Sequence, residues 1–197
     1  MPIKDLVLRT RSYRRFHEDQ AIPMATLSDL VDLARLAASA ANLQPLKYIL
    51  TCDREVNAAV FPHLAWAGYL KEWPGPPPGE RPAAYIIILG DKEISASFGC
   101  DHGIAAQNML LGATEKGLGG CLIGSVHRDE LRTALRIPGR YEILLVLALG
   151  KPKEKVVLET IEPGGDVKYW RDPSATHHVP KRRLQDIIVQ AYPGSPE

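Results

Sequence analysis

Four arginines lie within seven residues near the start of the sequence: Arg9, Arg11, Arg14 and Arg15. Because the whole chain has a net charge of only +1, positive charge this dense predicts a bound anion. If the stretch begins a helix, Arg11, Arg14 and Arg15 share one face. Ser12 would then lie beside helix N–H groups that favour negative charge, and arginine forks bind phosphate at about 1.5–3 kcal/mol per hydrogen bond. A solvated basic face is the alternative interpretation.

A second basic cluster, Lys181, Arg182 and Arg183, follows His177 and His178 far along the chain. It could be an ordinary basic tail at a helix start, or it could meet the first cluster around one phosphate. The sequence by itself leaves both possibilities open.

A glycine cluster at Gly117, Gly119, Gly120 and Gly124 resembles a dinucleotide-binding loop only superficially. These glycines follow a predicted helix and precede a predicted strand, which is the reverse of the dinucleotide-binding order, and Leu122 occupies a required glycine position. Their spacing instead favours the C-terminal end of a helix.

Other site types find little support in the residues. Cys100 and His102, like His177 and His178, lack a second ligand pair at zinc spacing, so we expect no metal. No Ser/His/Asp arrangement supports a hydrolase triad.

Composition is that of an ordinary globular protein, with 45% hydrophobic and 24% charged residues. The near-neutral charge argues against a nucleic-acid partner, and the absence of an apolar run of about 18 residues or of a signal-peptide core argues against a membrane partner. Three widely spaced cysteines, Cys52, Cys100 and Cys121, indicate reduced thiols and a cytoplasmic location.

Hydrophobic patterning predicts the elements that position these residues. We expect helices over 26–41, 53–70 (interrupted at Pro62), 100–116 and 127–135, and strands over 47–52, 83–90, 121–123 and 142–150. Residues 73–82 contain five prolines and should form a surface loop or lid. From residue 151 the periodicity is lost until a short apolar helix at 184–190, and the total is about four strands and five helices.

Taken together, five segments resemble the nitroreductase family of FMN-dependent oxidoreductases, and the resemblance covers nearly the whole chain in the family's order. The segments are 11–16 (Arg-Ser-Tyr-Arg-Arg-Phe), 38–45 (Ala-Ser-Ala-Ala-Asn-Leu-Gln-Pro), 103–124 (with Gln-Asn, Gly-Leu-Gly and Cys-x-Ile-Gly), 137–152 (Ile-Pro to Leu-Gly-Lys-Pro) and 180–183 (Pro-Lys-Arg-Arg).

The resemblance implies an α+β, nitroreductase-like fold, with a central mostly antiparallel sheet flanked by helices, in an intertwined homodimer. It implies a single FMN-binding domain over 1–197, whose proline-rich 73–82 segment is a loop or lid and whose 151–197 tail packs on the partner subunit. The implied activity is hydride transfer from NAD(P)H through bound FMN to a nitroaromatic, a quinone or a similar small acceptor.

The resemblance also assigns cofactor-binding residues, and no catalytic side chain or metal. Arg11, Ser12 and Arg14 would bind the FMN phosphate together with Lys181 and Arg183. The remaining contacts would line the flavin, the first three from the partner subunit and the last three near N5: Ser39, Ala40, Asn42, Leu122, Ile123 and Gly124.

Some positions depart from the family pattern. Thr10 stands where many members have another arginine, Ala38 replaces a proline, and Leu46 replaces a tryptophan. The family also contains dehalogenases, ene reductases and dehydrogenases, and a non-catalytic FMN-binding sensor is a further alternative.

Overall fold

The computed structural model describes residues 2–194, which form five α-helices and eight strands. The helices are α1 (Ile3–Arg9), α2 (Met24–Arg35), α3 (Arg54–Val60), α4 (Asp101–Glu115) and α5 (Arg128–Ala134). The strands are β1 (Phe16–His17), β2 (Leu46–Thr51), β3 (Ala84–Asp91), β4 (Gly119–Ile123), β5 (Tyr141–Pro152), β6 (Val156–Ile161), β7 (Trp170–Arg171) and β8 (His177–Arg182). They belong to two compact units that divide after Lys153.

The first unit is built on one antiparallel sheet in the order β1-β5-β3-β2, with β4 also paired to β5. Its long central ladder aligns Ile87 with Val146, and β4 aligns Gly120 with Leu149. The predicted α+β fold with a mostly antiparallel sheet is therefore confirmed.

Strand β3 is buried along its whole length, as its continuous apolar run predicts. Because side chains alternate across a strand, Ile86 and Ile88 face a core that is covered by α2 and α4, and Tyr85 and Ile87 face a second core. Both faces of the sheet are thus covered, and the ends of β4 and α4 become the positions where functional groups reach the surface.

The second unit is a small three-stranded sheet in the order β6-β8-β7. Its strands lie in the region from 151 onward where the sequence shows no periodicity. The predicted helix over 184–190 is wrong, because the structure has only a 3-10 turn at Leu184–Asp186. The strand count is correspondingly eight rather than four. The single-domain assignment and the packing of the tail on a partner stay predictions.

Two predicted helices are too long. Helix α2 ends at Arg35, and residues 39–44 form a separate turn, because Asp101 binds that turn in a non-helical conformation. Helix α3 ends at Val60, and only a 3-10 turn follows at Phe61–His63, because Pro62 cannot continue the helix and Leu64 then pairs with Val126.

The 73–82 segment has no helix or strand, as its prolines predict. None of the helices within residues 2–194 combines the length and the hydropathy needed to cross a lipid bilayer.

Candidate functional site

The arginine cluster is extended rather than helical, because α1 ends at Arg9 before the cluster is complete. The prediction that Arg11, Arg14 and Arg15 share one helix face is therefore wrong. Ser12 instead forms a parallel bridge with Gly120, and the Tyr13 N–H donates to the Gly120 carbonyl at 3.0 Å. The cluster consequently lies beside the beginning of β4.

Arg11 is a partly buried cation that has no counter-ion among the described residues. Its Nη2 donates to the Val7 carbonyl, its Nε is buried and makes no hydrogen bond, and burial lowers its pKa. No carboxylate among the described residues pairs with Arg11. The Ser12 hydroxyl beside it is exposed and has no partner in the same part of the chain, and Arg14 Nη1 donates to the Ser12 carbonyl at 3.2 Å. These groups fit a phosphate.

Arg15 has a different role, because it forms a two-pronged ion pair with Glu80 in the 73–82 loop. Hydrogen bonding from Arg15, with help from Lys153, lowers the Glu80 pKa to about 2. Glu18 binds the same loop through the backbone N–H groups of Gly79 and Arg81. Arg15 therefore anchors the loop and its charge is already matched.

Thr10 is buried, and its hydroxyl lies 2.9 Å from the Thr114 hydroxyl on α4. It also donates to the Leu6 carbonyl at the end of α1. An arginine side chain would not fit in this buried pocket without moving α1 or α4, which accounts for threonine at a position where the resemblance leads one to expect arginine.

The turn after β4 presents unused backbone donors. We call residues 123–126 the Gly124 turn. The N–H groups of Gly124 and Ser125, both exposed residues, have no acceptor within residues 2–194. The Ile123 side chain is buried in one core, and the partly buried Leu122 side chain packs against the other. Four residues of extended strand, about 13 Å, separate this turn from Gly120 and the neighbouring Ser12.

Gly117 ends α4 in the manner that its spacing predicts. It has a φ of +72° and its N–H donates to the Thr114 carbonyl, and the Leu118 N–H donates to the Ala113 carbonyl. This is a Schellman motif, in which a left-handed glycine closes the helix.

Residues 39–44, which we call the Ser39 turn, form a strained segment after α2. Ala41, Asn42 and Gln44 all have positive φ values, of 48°, 54° and 51°. Left-handed backbone at non-glycine residues costs free energy and persists only where the surroundings enforce it. Asp101, buried at the start of α4, enforces it by accepting hydrogen bonds from the Ser39 hydroxyl at 2.6 Å and the Ala40 N–H at 3.1 Å.

These bonds limit what the predicted residues can offer a ligand. The Ser39 hydroxyl donates its only hydrogen bond to Asp101, and its oxygen accepts a hydrogen bond from the Gln44 N–H at 2.9 Å. The Ala40 N–H is also engaged. The side-chain amide of Asn42 is exposed and has no partner in the described part of the chain, so Asn42 retains free donors.

A cavity of about 230 Å³ adjoins the Ser39 turn and is lined partly by Ala37, Tyr48 and Asp101. Burial, followed by the charge of Asp101, raises the pKa of Tyr48 to about 12. Tyr48 is therefore a neutral hydrogen-bonding group at ordinary pH.

The Arg11 group and the Ser39 turn lie at opposite ends of α4. The turn is bound to Asp101, and Thr10, which precedes Arg11, contacts Thr114. Thirteen helical residues span about 20 Å. One chain therefore does not bring the two predicted parts of the site together.

Lys181 and Arg183 belong to the second unit. Lys181 is exposed on β8, and Arg183 follows β8 and pairs with Glu162 at 2.8 Å and with Asp186 at 3.1 Å. The predicted phosphate contacts of both residues stay predictions.

The sequence reasoning missed two residues that shape the site. Asp101 lies between Cys100 and His102 in the first turn of a predicted helix, where an acidic residue is ordinarily a helix-stabilising feature. Arg128 was not singled out at all, yet it binds the carbonyl of Gly124. No local pattern distinguishes either residue from common surface charges.

Comparisons with known proteins identify the family of this chain. The family model described as "Nitroreductase family" matches residues 7–75 and 78–151. An Archaeoglobus fulgidus protein named "Putative NADH dehydrogenase/NAD(P)H nitroreductase" is 27% identical over 157 residues, which cover 76% of this chain and 85% of that protein.

Solved structures are similar over the same region. An FMN-dependent nitroreductase from Clostridium difficile is 25% identical with a TM-score of 0.62, and the match covers 76% of this chain and 87% of that one. A Parabacteroides distasonis protein at 24% identity shares the fold with a TM-score of 0.64 over 86% of this chain and 96% of its own.

Proposed function

Because this chain belongs to the nitroreductase family, we propose that it is an FMN-dependent oxidoreductase that uses NAD(P)H to reduce a small acceptor, such as a nitroaromatic compound or a quinone. The name of the Clostridium difficile structure supports FMN, and the name of the Archaeoglobus relative supports NAD(P)H. When bound, FMN supplies the hydride chemistry, and the protein supplies binding, orientation and electrostatics.

The observation that carries the proposal is that Arg11 is partly buried and has no counter-ion within residues 2–194, beside a Ser12 hydroxyl that has no partner there. Removing a cation from water without a counter-ion is unfavourable, and a phosphate would compensate for it. The unused N–H groups of Gly124 and Ser125 lie one strand length away. They would donate to the edge of the flavin ring. The separation between these N–H groups and Arg11 suits an elongated cofactor that has a phosphate at one end and a ring at the other.

In this proposal the residues of the chain bind and orient FMN, and no side chain is assigned as a catalytic acid or base. Arg11, Ser12 and Arg14 would hold the phosphate, and Lys181 and Arg183 stay candidates for further contacts. The Gly124 turn would orient the ring, with close approach allowed by the missing Cβ. Asn42 would donate its free amide protons, while Ser39 and Ala40 set the shape of the turn.

We propose a homodimer because FMN would need both ends of α4, which one chain separates by about 20 Å. A second subunit could bring its Ser39 turn to the first subunit's Arg11 group. Exposed apolar side chains support such an association in each unit; they include Ile3, Val7, Leu8, Leu36 and Leu43, and also Leu184, Ile187, Ile188, Val189 and Tyr192. Sedimentation that finds a monomer with bound FMN would contradict this arrangement.

The first experiment is the visible absorption spectrum of the purified protein, followed by anaerobic addition of NADPH and NADH. A flavin spectrum that bleaches supports the proposal. A flavin that stays oxidised with both donors would instead favour a sensor, and product analysis with halogenated phenols or activated alkenes would test the dehalogenase and ene reductase alternatives.

The phosphate assignment is tested with Arg11→Met and with Arg9→Met as a control of equal charge change. Arg9 is exposed at the end of α1. We expect Arg11→Met to weaken FMN binding about ten- to a hundred-fold, the equivalent of about 1.5–3 kcal/mol, and Arg9→Met to change it by less than about threefold. Equal losses in both variants would show a diffuse charge effect and would remove Arg11 from the site.

The acceptor and the cellular location are finer proposals. No disulfide joins Cys52, Cys100 or Cys121 within the described residues, which fits the reducing, cytoplasmic location predicted from the sequence. The acceptor class rests on the family alone, and the product analysis described above decides it.

A further inference from the structure

The guanidinium of Arg128 is surrounded by backbone carbonyl groups. Its Nε donates to Ile143 at 2.9 Å, and its Nη2 donates to Gly124 at 3.2 Å and to Leu144 at 3.4 Å. Its Nη1 is 3.5 Å from the Val126 carbonyl. One side chain at the start of α5 therefore ties the Gly124 turn to strand β5.

This attachment fixes the direction of a donor. In a trans peptide the C=O and N–H groups point in opposite directions, so the Gly124 carbonyl and the Ser125 N–H are oriented together. The Gly124 carbonyl accepts from Arg128 and also from the Val126 N–H at 3.1 Å, so the Ser125 N–H points away from the guanidinium, and no acceptor within residues 2–194 receives it. Arg128 has no carboxylate partner in that part of the chain either. Its fork is committed to backbone alone.

We propose that Arg128 is a positioning residue that holds the Gly124 turn against the flavin ring and thereby sets the relative affinity of the protein for oxidised and reduced FMN. The inference rests on the proposed function. A backbone N–H at an unprotonated ring nitrogen stabilises oxidised flavin, whereas the same nitrogen carries a proton in reduced flavin and gains nothing from a donor. A loosened turn therefore weakens the binding of oxidised FMN more than that of reduced FMN.

Arg128→Lys tests this role because it keeps the charge and removes the planar fork. The matched control is Arg132→Lys, one turn later on the same helix. Arg132 also donates to backbone carbonyls, those of Ile137 at 3.3 Å, Pro138 at 3.0 Å and Tyr141 at 2.8 Å, none of which belongs to the Gly124 turn. Both variants lose hydrogen bonds from an arginine to backbone carbonyl groups, and only the bonds of Arg128 involve the Gly124 turn.

The measurements are the Kd values for oxidised and chemically reduced FMN, the midpoint potential by dye titration, and the urea midpoint of the apoprotein. We expect Arg128→Lys to shift the ratio of the two Kd values about three- to tenfold in favour of reduced FMN, which is the contribution of one hydrogen bond. A tenfold shift raises the potential of a two-electron couple by about 30 mV. Arg132→Lys should lower the urea midpoint and leave the potential unchanged.

If the two variants give the same potential as wild type, or shift it equally, the positioning role is wrong. A wild-type protein that binds no FMN would refute the proposed function itself, so the two failures are distinguishable. Should Arg128→Lys not fold, the same comparison is made between Arg128→Gln and Arg132→Gln, and the same outcomes decide it.

Discussion

Alanine substitutions at Gly120 and Gly124, four residues apart, separate folding from binding. A Cβ at Gly120 would lie 2.7 Å from the Ala148 carbonyl oxygen and 2.9 Å from Leu110 Cδ2. The first contact is with backbone inside the β4–β5 ladder, which cannot rotate away. At Gly124 the nearest atom would be Leu145 Cδ2 at 3.6 Å, an ordinary contact. The protein itself thus requires glycine at the first position and not at the second.

The expected changes in stability follow from these contacts. Gly120→Ala should lower the free energy of unfolding by about 1–3 kcal/mol, the usual range for overpacking. Gly124 does not have a left-handed φ, so alanine is compatible with its backbone. Gly124→Ala should leave stability unchanged or raise it by up to about 1 kcal/mol, since alanine narrows the unfolded ensemble.

Binding should show the opposite pattern. If the flavin ring lies against the Gly124 backbone, an added methyl group displaces it, and FMN affinity should fall about ten- to a hundred-fold, or roughly 1.4–2.8 kcal/mol. The assays are urea denaturation of the apoprotein and titration with FMN followed by flavin fluorescence. Gly124→Ala with wild-type FMN affinity would show that the turn is not at the ring, and Gly120→Ala with wild-type stability would refute the packing argument.

Two further predictions concern the supports of the site. Asp101→Asn leaves one of two donors, the Ser39 hydroxyl or the Ala40 N–H, without an acceptor. We therefore expect the free energy of unfolding, measured by urea denaturation, to fall by about 1–3 kcal/mol. A double-mutant cycle with Ser39→Ala that showed no coupling would contradict this explanation. Glu80 has a lowered pKa, so its contact with Arg15 stabilises the fold above about pH 4.5, and this contribution is lost as the pH falls toward the folded pKa of about 2. Glu80→Gln should therefore cost about 1–2 kcal/mol at pH 7 and progressively less in acid, and a cost independent of pH would refute the ion-pair account.

The framework of the fold could be predicted from the sequence because its signals are local. The apolar run of β3 and the small, apolar residues of α4 are each visible in their own segment of the sequence, and the structure places both elements within two residues of the predicted bounds. Gly117 similarly marks a helix end through its own backbone freedom. Such elements need no knowledge of distant residues.

The Ser39 turn could not be predicted, because a distant residue overrides the local preference. Residues 37–41 contain four alanines, and alanine is the best helix former. The bonds that unwind them come from Asp101, 62 positions away from Ser39. The strands after residue 151 could not be predicted for a related reason. Strand β6 pairs in parallel with β8, about twenty residues further along, and each strand is too short and too polar to indicate its partner.

The arginine cluster shows where sequence reasoning about a site must stop. Arg11 and Arg15 belong to the same run, and charge density assigns both to one anion. Folding gives Arg15 a carboxylate from a loop 65 positions away, and leaves Arg11 partly buried with none. The same distinction separates the satisfied N–H of Ala40 from the unsatisfied N–H groups of Gly124 and Ser125. A ligand that pairs with these groups binds the folded chain and not the unfolded one. At a ligand concentration of a hundred times its Kd, it would add about 2.7 kcal/mol to the free energy of unfolding. Groups that folding leaves without a partner among the described residues therefore define the candidate site more sharply than the density of charge that first indicated it.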